Sequence, residues 1–135
     1  MTIRAYTPAD LPIIQAWAEA RETAIIPQLL SPNGFLVEDE QGPLAAVWVY
    51  LVFDCPMVLV ENLVTRPGTS LKKGLAAWDI LWRTIQAFLA NLKDCNGTPL
   101  SYKVVRTFTR PSLVRFLKGW KAAKHPTVQV LYAIP

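Results

Sequence analysis

The chain has 135 residues, of which 52% are hydrophobic and 18% charged. This composition is typical of one globular domain and excludes a disordered chain. No apolar stretch reaches the roughly 18 residues of a membrane-spanning helix. The first ten residues lack the apolar segment of a signal peptide, so we expect a cytoplasmic protein without a membrane partner. The net charge of +4, with no run of five like charges, does not by itself indicate a nucleic-acid-binding protein.

The first elements that the sequence predicts are a strand over residues 2–6 and a helix directly after it. Thr7 is a favourable N-cap, Pro8 suits the first helical position, and Asp10 favours the positive end of a helix. Apolar residues then recur at three- and four-residue steps and share one helix face: Leu11, Ile14, Trp17 and Ala18.

Three strands are predicted next, over residues 34–39, 44–53 and 58–64. They follow a segment in which Pro27 and Pro32 leave room for a short helix at most. The second strand is almost entirely apolar, which predicts burial on both faces. The connections "EQGP" and "DCPM" are too short for crossovers, so the three strands should form an antiparallel meander.

A long amphipathic helix is predicted to begin near Ser70 or Lys72. Its stop is predicted near Asn96-Gly97, since asparagine and glycine suit the residue after a helix. The residues of its predicted buried face are Leu71, Leu75, Trp78, Leu81, Trp82, Ile85, Phe88, Leu89 and Leu92.

The last part of the chain is predicted to contain a strand over 100–106, a short helix over 109–117 ended by Gly119, and a last strand over 127–134. The long helix makes the connection from the fourth strand to the fifth a crossover, which predicts that these two strands are parallel. The element order β-α-βββ-α-β-α-β therefore predicts a single α+β domain over residues 1–135, built on a central mixed sheet.

Few residues suggest a metal or redox site. Cys55 and Cys95 fit no metal-binding spacing and are expected to be free thiols. The lone His125 precedes a proline in a lysine-rich segment and is expected in a solvated loop. We therefore predict no metal site.

The segment between the fourth strand and the long helix has features of an anion-binding site. The unpaired amides of a helix's first turn and the helix dipole attract negative charge. Lys72 and Lys73 add positive charge, and Gly74 removes a side chain where a phosphate group could approach the backbone. The alternative is that Gly74 allows close packing of the helix on the sheet and that both lysines are solvated.

Five segments, in this order, resemble the GNAT superfamily of N-acetyltransferases over nearly the whole chain. They are similar to the family's first strand and helix ("IRAYTPADLPIIQAW"), its second and third strands ("GFLVEDEQGPLAAVWVYLV"), its fourth strand ("VENLVTRP"), its acyl-CoA loop and helix ("LKKGLAAWDIL") and its last helix ("RPSLVRFLKGW"). The resemblance implies that the fourth and fifth strands splay apart. It also implies that the pantetheine arm of acetyl-CoA bonds to the exposed edge of the fourth strand over residues 62–65.

The family's pyrophosphate-binding signature is Gln or Arg, two residues, Gly, one residue, then Gly or Ala. In one register Gly74 is the first glycine position and Leu71 replaces the Gln or Arg. In a second register Lys72 takes the first glycine position and Gly74 the second, and both registers remain open. The residues that the resemblance implies for binding of acetyl-CoA are Leu63, Val64, Thr65, Leu71, Lys72, Lys73, Gly74, Leu75, Ala76, Arg110 and Phe116.

The resemblance implies that Glu61 is the general base, a carboxylate of the fourth strand that accepts the proton of the amine, often through water. Leu59 and Leu63 are expected on the same strand face and would give it an apolar environment. The alternatives are a solvated Glu61 or one paired with an arginine. The family's usual general acid, a tyrosine of the last helix, is missing, because Phe116 or Leu117 stands there.

A family asparagine near the start of that helix is also replaced, by Thr109 or Arg110. An active enzyme would have acetyl-CoA and a small-molecule or peptide amine as partners. The missing residues motivate a second hypothesis, a GNAT-like binding or interaction protein without catalysis that still binds CoA. Nucleic-acid binding through the basic residues between Lys103 and Lys124 is a third alternative. A homodimer is compatible with the apolar composition.

Overall fold

The computed structural model describes residues 1–121 of the chain. The predicted last strand over 127–134 and His125 lie outside the described residues. The strands are β1 (Thr2–Ala5), β2 (Asn33–Asp39), β3 (Gly42–Leu51), β4 (Met57–Thr65) and β5 (Val104–Arg106). The α-helices are α1 (Leu11–Glu19) and α2 (Leu71–Ala90). Short 3₁₀ helices cover Pro8–Asp10, Pro27–Leu29 and Pro111–Phe116.

These strands form one mixed sheet in the order β1-β2-β3-β4-β5. The first four are antiparallel to their neighbours. β5 joins the sheet parallel to β4, after the crossover through α2. The predicted meander and the predicted parallel pair are both confirmed.

The two faces of the sheet carry different clusters of buried residues. Neighbouring residues of one strand, such as Leu36 and Val37, belong to opposite clusters, as the two-residue period of a strand requires. The cluster on the α2 face includes Val37, Val47, Val49, Val58, Val60, Ala77, Leu81 and Ile85. The cluster on the α1 face consists of Ile14, Trp17, Leu36, Ala46, Trp48 and Val64. β3 contributes to both clusters, which confirms its predicted burial on both faces.

Asp10 closes the turn between β1 and α1. Its carboxylate accepts hydrogen bonds from the Thr7 N–H at 2.9 Å and from two Arg4 nitrogens at 2.7 and 2.8 Å. The Arg4 guanidinium also donates to Glu38 of β2 at 2.9 Å. The hydrogen bonds from Arg4 lower the pKa of Asp10 to about 2. The predicted start of the first helix is therefore correct in position, although its first turn is a 3₁₀ helix.

Two predicted element ends are wrong because short turns compete for the backbone. β3 stops at Leu51, and Phe53 is fully exposed in the turn that follows. α2 stops at Ala90, well before Asn96-Gly97. Gly97, with a φ of 78°, instead donates its N–H to Asp94 within a tight turn.

The predicted fifth strand and last helix are also shorter than expected. Residues 100–103 do not extend β5, because the Leu100 N–H donates to Leu92 and the Lys103 N–H donates to Pro56. The predicted helix over 109–117 is the single 3₁₀ segment Pro111–Phe116. Gly119 follows it with a φ of 81°, as a helix end favours.

Within residues 1–121, no helix combines the length and the apolarity that crossing a bilayer requires.

Candidate active site

A cleft opens where β4 and β5 separate. β5 pairs only with Met57–Leu59 at the start of β4, whereas β4 continues to Thr65. From Val60 onward, no strand within residues 1–121 pairs with this edge of β4. The cleft has a volume of about 820 Å³, which is within the range of small-molecule sites.

A β-bulge interrupts β4 at the cleft. Trp48 of β3 lies opposite Glu61, and Ala46 lies opposite Val64, so the two residues between Glu61 and Val64 face a single residue of β3. Asn62 has a φ of 59°, a left-handed conformation that asparagine tolerates better than most residues. The bulge shifts the alternation of side chains by one position. As a result, Glu61 and Val64 both lie opposite residues of the α1-face cluster although they are three residues apart.

Glu61 is partly buried and lines the cleft. The expectation that Leu63 shares its strand face is not upheld, because the alternation that predicted it stops at the bulge. Leu63 also lines the cleft and is 49% exposed. Among residues 1–121 no ion pair includes Glu61, so the arginine partner considered from the sequence is not found there. The carboxylate faces a cleft in which it can act on a ligand.

Tyr50 of β3 supports the bulge. The Asn62 side-chain amide donates a hydrogen bond to the Tyr50 hydroxyl at 2.9 Å. Burial raises the pKa of the Tyr50 hydroxyl, and the nearby charge of Glu61 acts in the same direction. The hydroxyl therefore stays protonated at neutral pH. This pair was missed by sequence reasoning because only the bulge brings the two side chains together.

α2 begins at the cleft with Ser70 as its N-cap. The Ser70 hydroxyl accepts a hydrogen bond from the Lys73 N–H at 3.3 Å, and the Gly74 N–H donates to the Ser70 carbonyl at 2.9 Å. The N–H groups of Leu71 and Lys72 precede that first helical bond and have no acceptor within the helix. Ser70, Leu71 and Gly74 line the cleft. The positive end of the helix therefore lies beside it.

Packing does not explain the glycine at position 74. A Cβ added there would meet no atom nearer than the Thr69 Cγ2, at 4.0 Å, which is an ordinary van der Waals contact. The alternative in which Gly74 allows close packing of α2 on the sheet is therefore wrong. Glycine inside a helix costs about 0.5–1 kcal/mol relative to alanine. The missing side chain instead leaves space on the cleft side, which fits a ligand that approaches the backbone.

The two lysines of the predicted anion site have different surroundings. The Lys73 ammonium forms an ion pair with the Asp39 carboxylate. The Arg66 guanidinium binds the same carboxylate, at 2.7 and 3.1 Å. The Lys73 charge is therefore directed to Asp39, and Lys72 is exposed. Neither lysine is part of the cleft lining.

Most of the predicted site residues do meet at the cleft: Glu61, Leu63, Thr65, Leu71, Gly74, Leu75, Arg110 and Phe116. The predicted residues outside its lining are Val64, Lys72, Lys73 and Ala76. Val64 is buried in the α1-face cluster, and Ala76 is exposed. Leu71 was expected on the buried face of α2 and is 53% exposed, because it is the first helical residue and lies at the mouth of the cleft.

The wall opposite β4 is formed by the segment after β5. Arg110 lies just before the 3₁₀ helix, and Leu113 and Phe116 lie within it. Phe116 and Leu117, the two candidates for the position of the family's tyrosine, both line the cleft, and neither side chain can donate a proton. Tyr102 does not replace that tyrosine, because its hydroxyl faces the Val52 carbonyl at 3.5 Å, away from the cleft lining.

The end of α1 contributes a further wall that sequence reasoning missed. Arg21 and Thr23 line the cleft, and the Arg21 guanidinium donates to the Thr65 hydroxyl at 2.5 Å. The signal in the sequence was a basic residue near the end of the predicted first helix. The direction of its side chain depends on how the helix ends.

The same fold occurs in solved structures. TTHA1254 from Thermus thermophilus matches with a TM-score of 0.62 at 19% identity, over 100% of this chain and 98% of that one. An acetyltransferase from Trypanosoma brucei matches with a TM-score of 0.60 at 13% identity, over 96% of this chain and 99% of that one. The chain has the GNAT fold.

A further GNAT-fold neighbour is N-acetylglutamate synthase from Neisseria gonorrhoeae, solved with coenzyme A and N-acetyl-glutamate. It matches with a TM-score of 0.50 at 14% identity, over 64% of this chain and 22% of that one. Neither a protein-family model nor a curated protein sequence matches the chain. At these identities the likeness concerns the fold, so function has to be argued from the cleft.

Proposed function

We propose that this protein is an acyl-CoA-dependent N-acetyltransferase that transfers the acetyl group of acetyl-CoA to an amine. The observation that carries the proposal is the open edge of β4. At residues 60–63 and at Thr65 it borders a cleft that reaches the first turn of α2. A neighbour with the same fold, N-acetylglutamate synthase, was solved with coenzyme A.

The pantetheine arm and the pyrophosphate of acetyl-CoA each have a chemically suitable place in the cleft. The amides of the pantetheine arm can pair with the free edge of β4 as an added strand would. The pyrophosphate suits the first turn of α2, where the amides of Leu71 and Lys72 have no helical acceptor. Gly74 would let it approach the helix, since no side chain stands there. The apolar side chains of Leu75 and Phe116 border the same space.

Glu61 is the proposed general base. Its carboxylate would accept a proton from the attacking amine, directly or through one water molecule. The amine nitrogen bonds to the acetyl carbon while the bond from that carbon to sulfur breaks. The leaving thiolate would take a proton from solvent, because among residues 1–121 no tyrosine hydroxyl belongs to the cleft lining.

A CoA-binding protein without catalysis is the second candidate, and Phe116 is the observation that favours it. Its ring lies in the cleft wall but cannot donate a proton to a leaving group. The free edge of β4 and the first turn of α2 would still bind the ligand. Such a protein would keep the affinity for CoA and lack turnover.

Calorimetric titration with acetyl-CoA, followed by turnover with a panel of small and peptide amines, separates these candidates. Cys55 and Cys95 are exposed free thiols that would react with thiol reagents, so release of CoA should be followed by chromatography. For an enzyme, Glu61→Gln should lower turnover by about 10²-fold or more without weakening acetyl-CoA binding. Glu40→Gln, at an exposed position in the β2–β3 turn, is the matched control and should change neither. Binding without turnover would establish the second candidate, and no binding of CoA would contradict both.

A further inference from the structure

The C-terminal end of α1 holds Arg21 in a defined position. The Thr23 N–H donates to the Ala18 carbonyl and the Glu22 N–H donates to the Glu19 carbonyl, both at 3.0 Å. This pair of bonds is a Schellman motif, which ends a helix through a left-handed residue, usually glycine. Here that residue is Glu22, with a φ of 55°, a conformation that disfavours a side chain. The strained end orients the chain on both sides of it, so Arg21 and Thr23 both reach the cleft.

The Arg21 side chain crosses from α1 to β4. One of its terminal nitrogens donates to the Thr65 hydroxyl at 2.5 Å. A guanidinium carries five N–H donors in a planar fork, so this bond leaves most of them for a ligand. The side chain is exposed, and its charge is not used in an ion pair among residues 1–121.

The contact with Thr65 locates Arg21 at one end of the cleft. Thr65 is the last residue of β4, and the next helix, α2, begins at Leu71 with Ser70 as its N-cap. Glu61 lies four residues earlier, which corresponds to roughly 10–13 Å along a strand. Arg21 therefore contacts the end of β4 that leads to α2, away from the carboxylate that would take the amine proton, and it shares the cleft lining with the first turn of α2.

We propose that Arg21 binds a phosphate group of the acyl-CoA and supplies a cation inside the cleft, whose lining includes neither lysine of the helix start. This inference rests on the proposed function. Position 71, at the start of α2, is a leucine. The Lys73 ammonium is directed to Asp39, and Lys72 is not part of the cleft lining.

Arg21 and Arg110 are the cationic side chains of the lining within the described residues, against one carboxylate, Glu61. That balance suits a polyanion.

The test compares Arg21→Gln with wild type on ligands that differ in phosphate content. Binding of CoA and of pantetheine, which has no phosphate, is followed by the fluorescence of Trp78 in the cleft wall and by titration calorimetry. Arg21→Gln should weaken binding of CoA about tenfold or more and leave pantetheine unchanged. It should also reduce the salt dependence of CoA binding. Arg83→Gln removes the same charge from an exposed ion pair with Asp79 on α2, outside the cleft lining, and serves as the matched control.

The possible outcomes are distinct. Equal CoA affinities and equal salt dependence in Arg21→Gln and wild type would overturn the proposal, because the guanidinium would then not contact a phosphate group. Equal loss for CoA and pantetheine would also overturn it, since the residue would then shape the cleft and not bind phosphate. The hydrogen bonds of the Schellman motif join backbone atoms, so Arg21→Gln should have the same melting temperature as wild type. Failure of the wild-type chain to bind CoA would refute the proposed function itself, whereas the first two outcomes leave it standing.

Discussion

Arg66 holds the Asp39 carboxylate with both terminal nitrogens of its guanidinium, and Lys73 pairs with the same carboxylate. Asp39 ends β2, Arg66 follows β4, and Lys73 is in the first turn of α2. The Asp39 side chain is only 8% exposed, whereas the Lys73 side chain is 40% exposed, so the carboxylate is enclosed and its cations reach the surface. The three groups connect the rim of the sheet to the start of the helix that borders the cleft.

Asp39→Asn should lower the melting temperature and weaken CoA binding severalfold. An amide cannot balance two cations, and the segment between β4 and α2 would lose its anchor. Thermal melts and calorimetry check both effects. Asp54→Asn, at an exposed position between β3 and β4, is the control. Tighter CoA binding by Asp39→Asn would contradict the anchor, because it would mean that the released cations serve the ligand better than the fixed loop.

Gly74→Ala should change stability and ligand binding in opposite directions. Without ligand the variant should be more stable by about 0.5–1 kcal/mol, because alanine favours a helix and its Cβ meets no atom closer than 4.0 Å. Its affinity for CoA should fall, because the methyl group occupies the space proposed for the pyrophosphate. Chemical denaturation and calorimetry measure the two effects. An unchanged CoA affinity would show that the ligand does not approach this residue.

Gly34→Ala should destabilise the fold, in contrast to the glycine of α2. A Cβ at position 34 would lie 2.6 Å from the Trp48 Nε1 and 2.7 Å from the Tyr6 Cβ. The Trp48 side chain is fully buried and packs edge-on against the Tyr6 ring at 5.1 Å between centroids, so neither can move freely. We expect a loss of about 1–3 kcal/mol in the free energy of unfolding. A variant as stable as wild type in urea would refute the close contact.

The stability lost on substitution of Asn62 should depend more on the backbone conformation that the new residue prefers than on the lost side-chain hydrogen bond. Asn62→Gly loses the hydrogen bond to Tyr50 but suits the φ of 59°. Asn62→Val combines the same loss with a β-branched residue in the left-handed region, which costs about 1–2 kcal/mol. The valine variant should therefore unfold at a lower urea concentration than the glycine variant. Tyr50→Phe isolates the hydrogen bond, and equal stability of the valine and glycine variants would argue against the bulge.

The stability that Asp10 contributes should depend on pH in a predictable direction. Hydrogen bonds from Arg4 hold the pKa of Asp10 at about 2 in the folded protein, below the ordinary value of about 3.9. Because the pKa is lower in the folded protein, the charged Asp10 stabilises the fold fully at pH values above its ordinary pKa. This stabilisation is lost as the pH falls towards 2.

Asp10→Asn should therefore melt below wild type at pH 7. The difference should shrink between about pH 4 and pH 2 as wild type loses the charge. Asp79→Asn, whose carboxylate is 56% exposed, should show little difference at either pH. A difference for Asp10→Asn that stays constant down to pH 2 would contradict the assigned role.

Local patterns in the sequence were sufficient for the order of elements from β1 to β5 and for most of the buried faces. Three- and four-residue spacing identified Ile14, Trp17, Leu81 and Ile85 as core residues, and all four are buried. Short connections required an antiparallel meander, and the crossover required a parallel pair. These inferences succeed because period, chain reach and handedness are local properties.

The ends of elements were predicted less well, because they depend on competition for backbone hydrogen bonds. The Leu100 N–H donates to the Leu92 carbonyl and so does not extend β5, and no residue type in that segment predicts this hydrogen bond. The family resemblance placed Glu61 and Gly74 on the same cleft. It also directed Lys73 to the ligand, whereas the tertiary structure turns that lysine to Asp39.

By itself, the sequence determined the mixed sheet and the two helices, and its family resemblance indicated the carboxylate and the glycine that line the cleft. Only the tertiary structure decided which side chains of β4 lie on each face of the sheet after the bulge, and that Arg21 lines the cleft. A bulge at Asn62 shifts every later side chain by one position, and a left-handed residue at Glu22 directs the end of α1 to Thr65. Both depend on a single backbone dihedral whose cost is offset by contacts distant in sequence, and such a balance is invisible to a local pattern.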